Sequence, residues 1–160
     1  MKQVDVAILM GSKSDLPVME EAAKILKEFA VSYEIRVLSA HRTPKETCEY
    51  AEKFRFNGGR IFICGAGVSA ALAGVVSAHT TLPVIGVPID AALNGMDSLL
   101  STVQMPPGVP VAAVAIGKGG AKNAGLLAVR ILSLNNSELE KKLDQYREDQ
   151  RQAILGIKIE

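Results

Sequence analysis

The chain has no tryptophan, its aromatic residues amount to 4%, and it holds only two cysteines and two histidines. Each shortage removes a class of function. Cys48 and Cys64 stand apart rather than in a paired metal motif, and with two histidines the residues for a zinc site are lacking. They read as buried, reduced thiols. Charge is nearly balanced at a formal net +1, so no global field recruits nucleic acid or an anionic membrane. An anion must therefore be bound by local geometry. No apolar run approaches the ~18 residues a membrane-spanning helix needs. The short apolar run at 4–10 is followed by Gly-Ser-Lys-Ser-Asp with no cleavage site, so it fails as a signal peptide. The expected location is the cytoplasm.

What is present is 48% hydrophobic residues, mostly small and aliphatic, with 14 glycines in 160 residues. That mixture suits close-packed α/β layers, and the length suits one domain over 1–160. Apolar runs of strand length alternate with segments of helical period. Strands are expected at 4–10, 33–38, 60–64, 83–87 and 111–116. Helices are expected at 16–29, 44–56, 69–78, 97–103 and 121–134. The strands read as apolar on both faces, which marks a parallel sheet covered on both sides. Right-handed crossovers then give a three-layer, doubly wound α/β fold of flavodoxin-like type with five parallel strands.

The last segment differs. Ser137-Glu-Leu-Glu140 reads as a capping box, and the helix it opens has a narrow apolar stripe of Leu139, Leu143 and Tyr146. That face is too small to bury alone, so the segment 136–155 is expected to pack on a neighbouring subunit as an oligomerisation helix.

In such sheets ligands bind at the carboxyl ends of the strands. The first strand ends in Met10-Gly-Ser-Lys-Ser-Asp15, a phosphate cradle in type, with a helix N-terminus following. The same residues serve equally well if Ser14 or Asp15 only caps that helix ahead of Pro17. The second strand ends in Ser39-Ala-His-Arg-Thr-Pro44. Thr43, Pro44 and Glu46 form a helix start of the capping-box kind, leaving His41 and Arg42 on the turn. Arg42 can grip a phosphate or carboxylate through two parallel hydrogen bonds, and an imidazole carries a proton near neutral pH.

The third strand ends in Cys64-Gly-Ala-Gly-Val-Ser69, more often a tight turn than a ligand loop. His79 stands near the end of a helix and reads as structural, away from the ligand edge. Ile89-Asp-Ala-Ala-Leu-Asn-Gly-Met-Asp-Ser98 and Gln104-Met-Pro-Pro-Gly108 read as loops over the same edge or as contacts between subunits. Gly117-Lys-Gly-Gly120 is the rival phosphate loop. Flavin carriers share the layering, but Tyr33, Tyr50 and Tyr146 do not follow strands at the ligand edge, so no aromatic flanks a flavin. A receiver module is a weaker reading still, because the third strand ends in Cys64-Gly65 without an acceptor aspartate.

Taken together and in order, five stretches resemble the N5-carboxyaminoimidazole ribonucleotide mutases. They are Met10-Gly-Ser-Lys-Ser-Asp15, Ser39-Ala-His-Arg-Thr-Pro44, Leu82-Pro-Val-Ile-Gly-Val-Pro88, Gly95-Met-Asp-Ser-Leu-Leu-Ser101 with Val103-Gln-Met-Pro106, and Asn123-Ala-Gly-Leu-Leu-Ala128. The resemblance implies an isomerase of purine biosynthesis, with His41 as the proton-transfer group and no metal or redox cofactor. It implies that Ser12, Asp15, Ser39, Arg42, Gly67, Ala70 and Leu72 bind a small ribonucleotide. It also implies a homo-octamer, with neither nucleic acid nor membrane as partner.

One loop departs from the pattern. Mutases usually read Gly-Gly-Ala-Ala-His-Leu-Pro-Gly there, and this chain has Gly67-Val-Ser-Ala-Ala-Leu-Ala-Gly74. Ala71 replaces the family's second histidine and Ala73 its proline. The loop is closer to a related class that carboxylates aminoimidazole ribonucleotide directly with carbon dioxide, although that class usually has Lys where Arg42 stands. The alternatives are therefore a direct carboxylase and a non-catalytic nucleotide-binding paralogue.

Overall fold

The computed structural model describes residues 4–159. Five parallel strands, β1 (Val6–Met10), β2 (Tyr33–Val37), β3 (Ile61–Gly67), β4 (Val84–Ile89) and β5 (Ala112–Ala113), form one sheet in the order β2-β1-β3-β4-β5. Between them run α1 (Leu16–Glu28), α2 (Pro44–Phe54), α3 (Leu72–Ala78) and α4 (Met96–Val103), followed by α5 (Gly117–Ser133) and α6 (Ser137–Leu155). This is the doubly wound, flavodoxin-like arrangement.

Alternate residues of one strand feed opposite cores, because successive side chains point to opposite faces. Val6, Ile8, Met10, Ile61, Ile63, Ile85 and Val87 pack with α1, α5 and the start of α6. Ala7, Leu9, Phe62, Cys64 and Val84 pack with α2 and α3. The central strands β1 and β4 are buried throughout. β2 is not, contrary to expectation, because it forms the sheet edge and one of its flanks has no strand neighbour among the described residues. Glu34 and Arg36 sit there 2.8 Å apart, with Tyr50 donating to Glu34 at 2.5 Å. Burial, followed by that bond to Glu34, pushes the Tyr50 hydroxyl well above the ordinary phenolic range.

Several boundaries move. β3 continues through Gly67 and α3 begins only at Leu72. β5 shrinks to two residues. α5 starts four residues before the expected 121, so Gly117-Lys-Gly-Gly120 is a helical first turn and not a loop. The α6 cap is Asn136, whose side chain accepts from the Glu138 and Leu139 amides, rather than Ser137. The apolar stripe of α6 also has a home within the chain. Leu139 and Leu143 are buried in the α1/α5 core, and the Tyr146 ring lies 5.6 Å from that of Phe29. Of the large apolar side chains of α6, Ile154 and Leu155 at the far end are left exposed.

Candidate functional site

The turns after β1, β2, β3 and β4 enclose a cavity of about 540 Å³ at the carboxyl edge of the sheet. Four neighbouring strands deliver four chemically different walls.

The β1 turn is built by Ser12. Its extended backbone caps a single 3-10 turn (Lys13–Asp15) through a reciprocal box. The Ser14 amide donates to Ser12 Oγ at 3.3 Å, and the Ser12 amide donates to Asp15 Oδ2 at 3.1 Å. The Ser14 hydroxyl adds a bond to Ser12 Oγ at 2.8 Å. Ser12 thus caps the 3-10 turn, Asp15 takes the N-cap position of α1 without a side-chain capping bond, and both carry structural duty as well as facing the cavity.

The β2 turn closes on itself differently from expectation. Thr43 precedes α2 but makes no capping bond to it. Instead its Oγ1 accepts from the Ser39 amide at 2.9 Å and donates to the Ser39 carbonyl at 3.1 Å. Ser39 Oγ in turn accepts from the Arg42 amide at 3.2 Å and from Arg42 Nε at 3.3 Å. Arg42 Nη2 donates to the Gly11 carbonyl, which ties this turn to the β1 turn. The guanidinium is held by the turns it bridges. His41 is exposed, and its ring has no partner among the described residues. It is free to meet a ligand.

The β3 wall is bare backbone and small apolar groups: Gly67, Val68, Ala71 and Leu72, with Ser69 between them. The β4 wall is Ile89, Asp90 and Ala91. A smaller concavity of about 250 Å³ shares Gly11, Ser12, Ser39 and Arg42 and adds Lys13. Two cations therefore stand at the β1/β2 end, where local charge can hold an anion that the near-neutral chain as a whole would not attract.

Of the residues singled out in the sequence, Ser12, Asp15, Ser39, His41, Arg42, Gly67 and Leu72 meet in this one cavity. Ala70 does not. It is 1% exposed and turned into the interior, and Ala71 takes the wall position beside it. His79 lies in a separate concavity, its Nδ1 2.9 Å from Glu52 Oε1. Gly117–Gly120 touches no part of the cavity wall. Ser14, which the sequence offers as part of the cradle or as a cap, also lines the cavity, as do Ser69 and Asp90, which the sequence reading does not single out. Asp90 was the most legible of them, since it directly follows an apolar strand, the position that ligand-facing residues occupy in such sheets.

Residues 5–153 match the family model described as AIR carboxylase. The N5-carboxyaminoimidazole ribonucleotide mutase of Pyrococcus abyssi is 58% identical over 147 residues, 91% of this chain and 83% of that protein. The mutase of the same name from Bacillus subtilis is 57% identical over 151 residues, covering 94% of this chain and 93% of the other. The crystal structure of PurE from Treponema denticola superposes with a TM-score of 0.85 at 34% identity, covering 94% of this chain and 93% of that one.

Proposed function

The chain belongs to the AIR carboxylase family, and from that premise we propose that it is an N5-carboxyaminoimidazole ribonucleotide mutase of purine biosynthesis. It moves the carboxyl group from the exocyclic nitrogen to ring carbon 4, giving 4-carboxy-5-aminoimidazole ribonucleotide. The observation that carries the reading is one cavity joining a held guanidinium, Arg42, to an unpartnered imidazole, His41.

The phosphate sits at the cationic end against Arg42, with Ser12 and Ser39 beside it and Lys13 close by. Asp15 faces the ribose, and Gly67 and Leu72 line the wall beside the ring. His41 donates a proton to the exocyclic nitrogen as its bond to the carboxyl carbon breaks, which frees carbon dioxide and a neutral amine. Ring carbon 4 then attacks the carbon dioxide, and its proton returns to His41, so the two steps balance without a co-reactant. A positioned acid/base group contributes about 10²–10⁴-fold. Holding the amine and carbon dioxide together supplies much of the rest. No step calls for a metal or redox cofactor.

We further propose a homo-oligomer, an octamer as the resemblance implies. Its support is apolar surface with no cover on one chain: Met96, Leu100 and Val103 at helical spacing on α4, each about half exposed. The exposed end of α6 is the segment we assign to contact with a neighbouring copy. A cytoplasmic location fits two free thiols, with Cys64 buried. No described helix is long and apolar enough to cross a membrane.

The deciding assay supplies the carbamate and, separately, the free amine with bicarbonate. The carbamate should be converted far faster. Equal or faster product formation from the amine would replace this reading with direct carboxylation.

A further inference from the structure

The two carboxylates that face the cavity are in different situations. Asp15 is already engaged: Oδ2 accepts from the Ser12 amide, and Oδ1 lies 3.4 Å from the Ser14 hydroxyl. Asp90 bonds to nothing among the described residues, yet it stands on the wall. Its backbone is well fixed. Gly67 pairs with Ile89 at the end of the β3–β4 ladder, which puts Asp90 one residue beyond the last paired position. On its other side Gly95, at φ +77, packs so closely that a Cβ there would lie 3.3 Å from Asp90 Cα. The carboxylate is thus carried on backbone packed from two sides, with no partner of its own among the described residues.

Its place in the sheet gives it a polarity relative to Arg42. Arg42 follows β2 and Asp90 follows β4, with β1 and β3 between them. At about 4.8 Å per strand the two ends of the cavity are roughly 14 Å apart. A ribonucleotide whose phosphate lies at Arg42 therefore sends its base toward β3 and β4. There the lining is Val68, Ala71, Leu72 and Ile89, and the one charged group is Asp90.

We infer that Asp90 determines the specificity of this pocket, accepting a hydrogen bond from the ring amino group and disfavouring a carboxylate at the same wall. The inference rests on the mutase reading and names the residue that discriminates between the carboxylated and uncarboxylated nucleotides. A fixed anion there favours the stage at which carbon dioxide has left the nitrogen, because the amine is then a neutral donor. It also weakens retention of the carboxylated product. Binding that is stronger at the intermediate than in the ground state is the kind that raises turnover.

The test is equilibrium binding by calorimetry, with 5-aminoimidazole ribonucleotide and its 4-carboxylated product as separate ligands. Wild type is compared with Asp90→Asn and Asp90→Glu. Asp90 is exposed, so neither substitution threatens the fold. Asp90→Asn should tighten the carboxylated product and weaken the amine, moving their affinity ratio by about tenfold, the equivalent of about 1.4 kcal/mol. Asp90→Glu, which keeps the charge, should leave the ratio near wild type. A ratio unmoved by Asp90→Asn, or both affinities falling by one common factor, overturns the assignment while leaving the mutase reading intact. Failure of wild type to bind either nucleotide would sink both.

Discussion

Two adjacent glycines at the start of α5 should respond to the same substitution with opposite signs. A Cβ built on Gly120 lies 1.5 Å from the carbonyl oxygen of Ala115 and 2.5 Å from its carbonyl carbon. Both obstacles are backbone, so no rotamer change relieves them and the helix itself must move. α5 is buried against α1 and the sheet through Ala121, Ala124, Ala128 and Val129, so that movement disturbs the core. Overpacking costs about 1–3 kcal/mol, and a backbone clash of this depth belongs at the upper end. Among the described residues, no atom lies within 4 Å of a would-be Cβ on Gly119. There alanine only reduces the freedom of the unfolded chain, worth about 0.4–1 kcal/mol of stability.

For a chain of this length 1 kcal/mol moves the melting temperature by about 2–4 °C. Gly120→Ala should therefore melt roughly 6–12 °C lower, and Gly119→Ala about 1–4 °C higher. Thermal melts followed by circular dichroism at matched protein concentration measure both, since oligomer melting depends on concentration. A Gly120→Ala protein melting with wild type would refute the close approach to Ala115. The pair also tests the functional assignment, because Gly117–Gly120 lies off the cavity wall. Gly119→Ala should leave kcat/KM unchanged. A stable Gly119→Ala protein with collapsed nucleotide affinity would restore that segment as the phosphate loop.

Four further outcomes are expected. His41→Asn should abolish turnover with nucleotide binding largely intact, and a variant keeping more than about a tenth of wild-type activity would remove His41 from proton transfer. Arg42→Ala should weaken ribonucleotide binding by about 1.5–3 kcal/mol in calorimetry, since it removes a charge-assisted contact; unchanged affinity would move the phosphate elsewhere. Ala71→His combined with Ala73→Pro should speed carbamate turnover, because Ala71 lines the wall and can present a hydrogen-bonding group there; an unchanged rate would make Ala71 neutral. The Cys64 thiol is buried, and that burial pushes its pKa well above the usual range, so the native protein should titrate only Cys48 with a thiol reagent. Two rapid equivalents per chain would contradict that.

The order of strands and helices was legible because it rests on local pattern. Uninterrupted apolar runs such as Val-Ala-Ile-Leu-Met and Ile-Phe-Ile-Cys have no solvent-tolerant face and so require a covered parallel sheet. The meeting of the candidate-site residues was legible for a related reason. Parallel strands all end at one edge, so His41 and Arg42 after one strand, and Ser12 and Asp15 after another, are brought together by topology alone. What the pattern could not give was anything that depends on which neighbour arrives. β2 is exposed because it is an edge, a fact of strand order and not of its own residues. Gly117 to Gly120 form the first turn of α5, with Gly120 packed closely on the Ala115 carbonyl, whereas glycines in isolation read as loop. α6 docks on its own chain once Phe29 is in place to meet Tyr146. Ala70 and Ala71 are the same residue type side by side, and only the path of the chain after Val68, at φ +56, decides which faces the cavity. Local periodicity fixes what a segment can form, since it sets which side chains share a face. Long-range packing chooses among near-equal local states, since burial against a specific partner outweighs the small propensity differences between them.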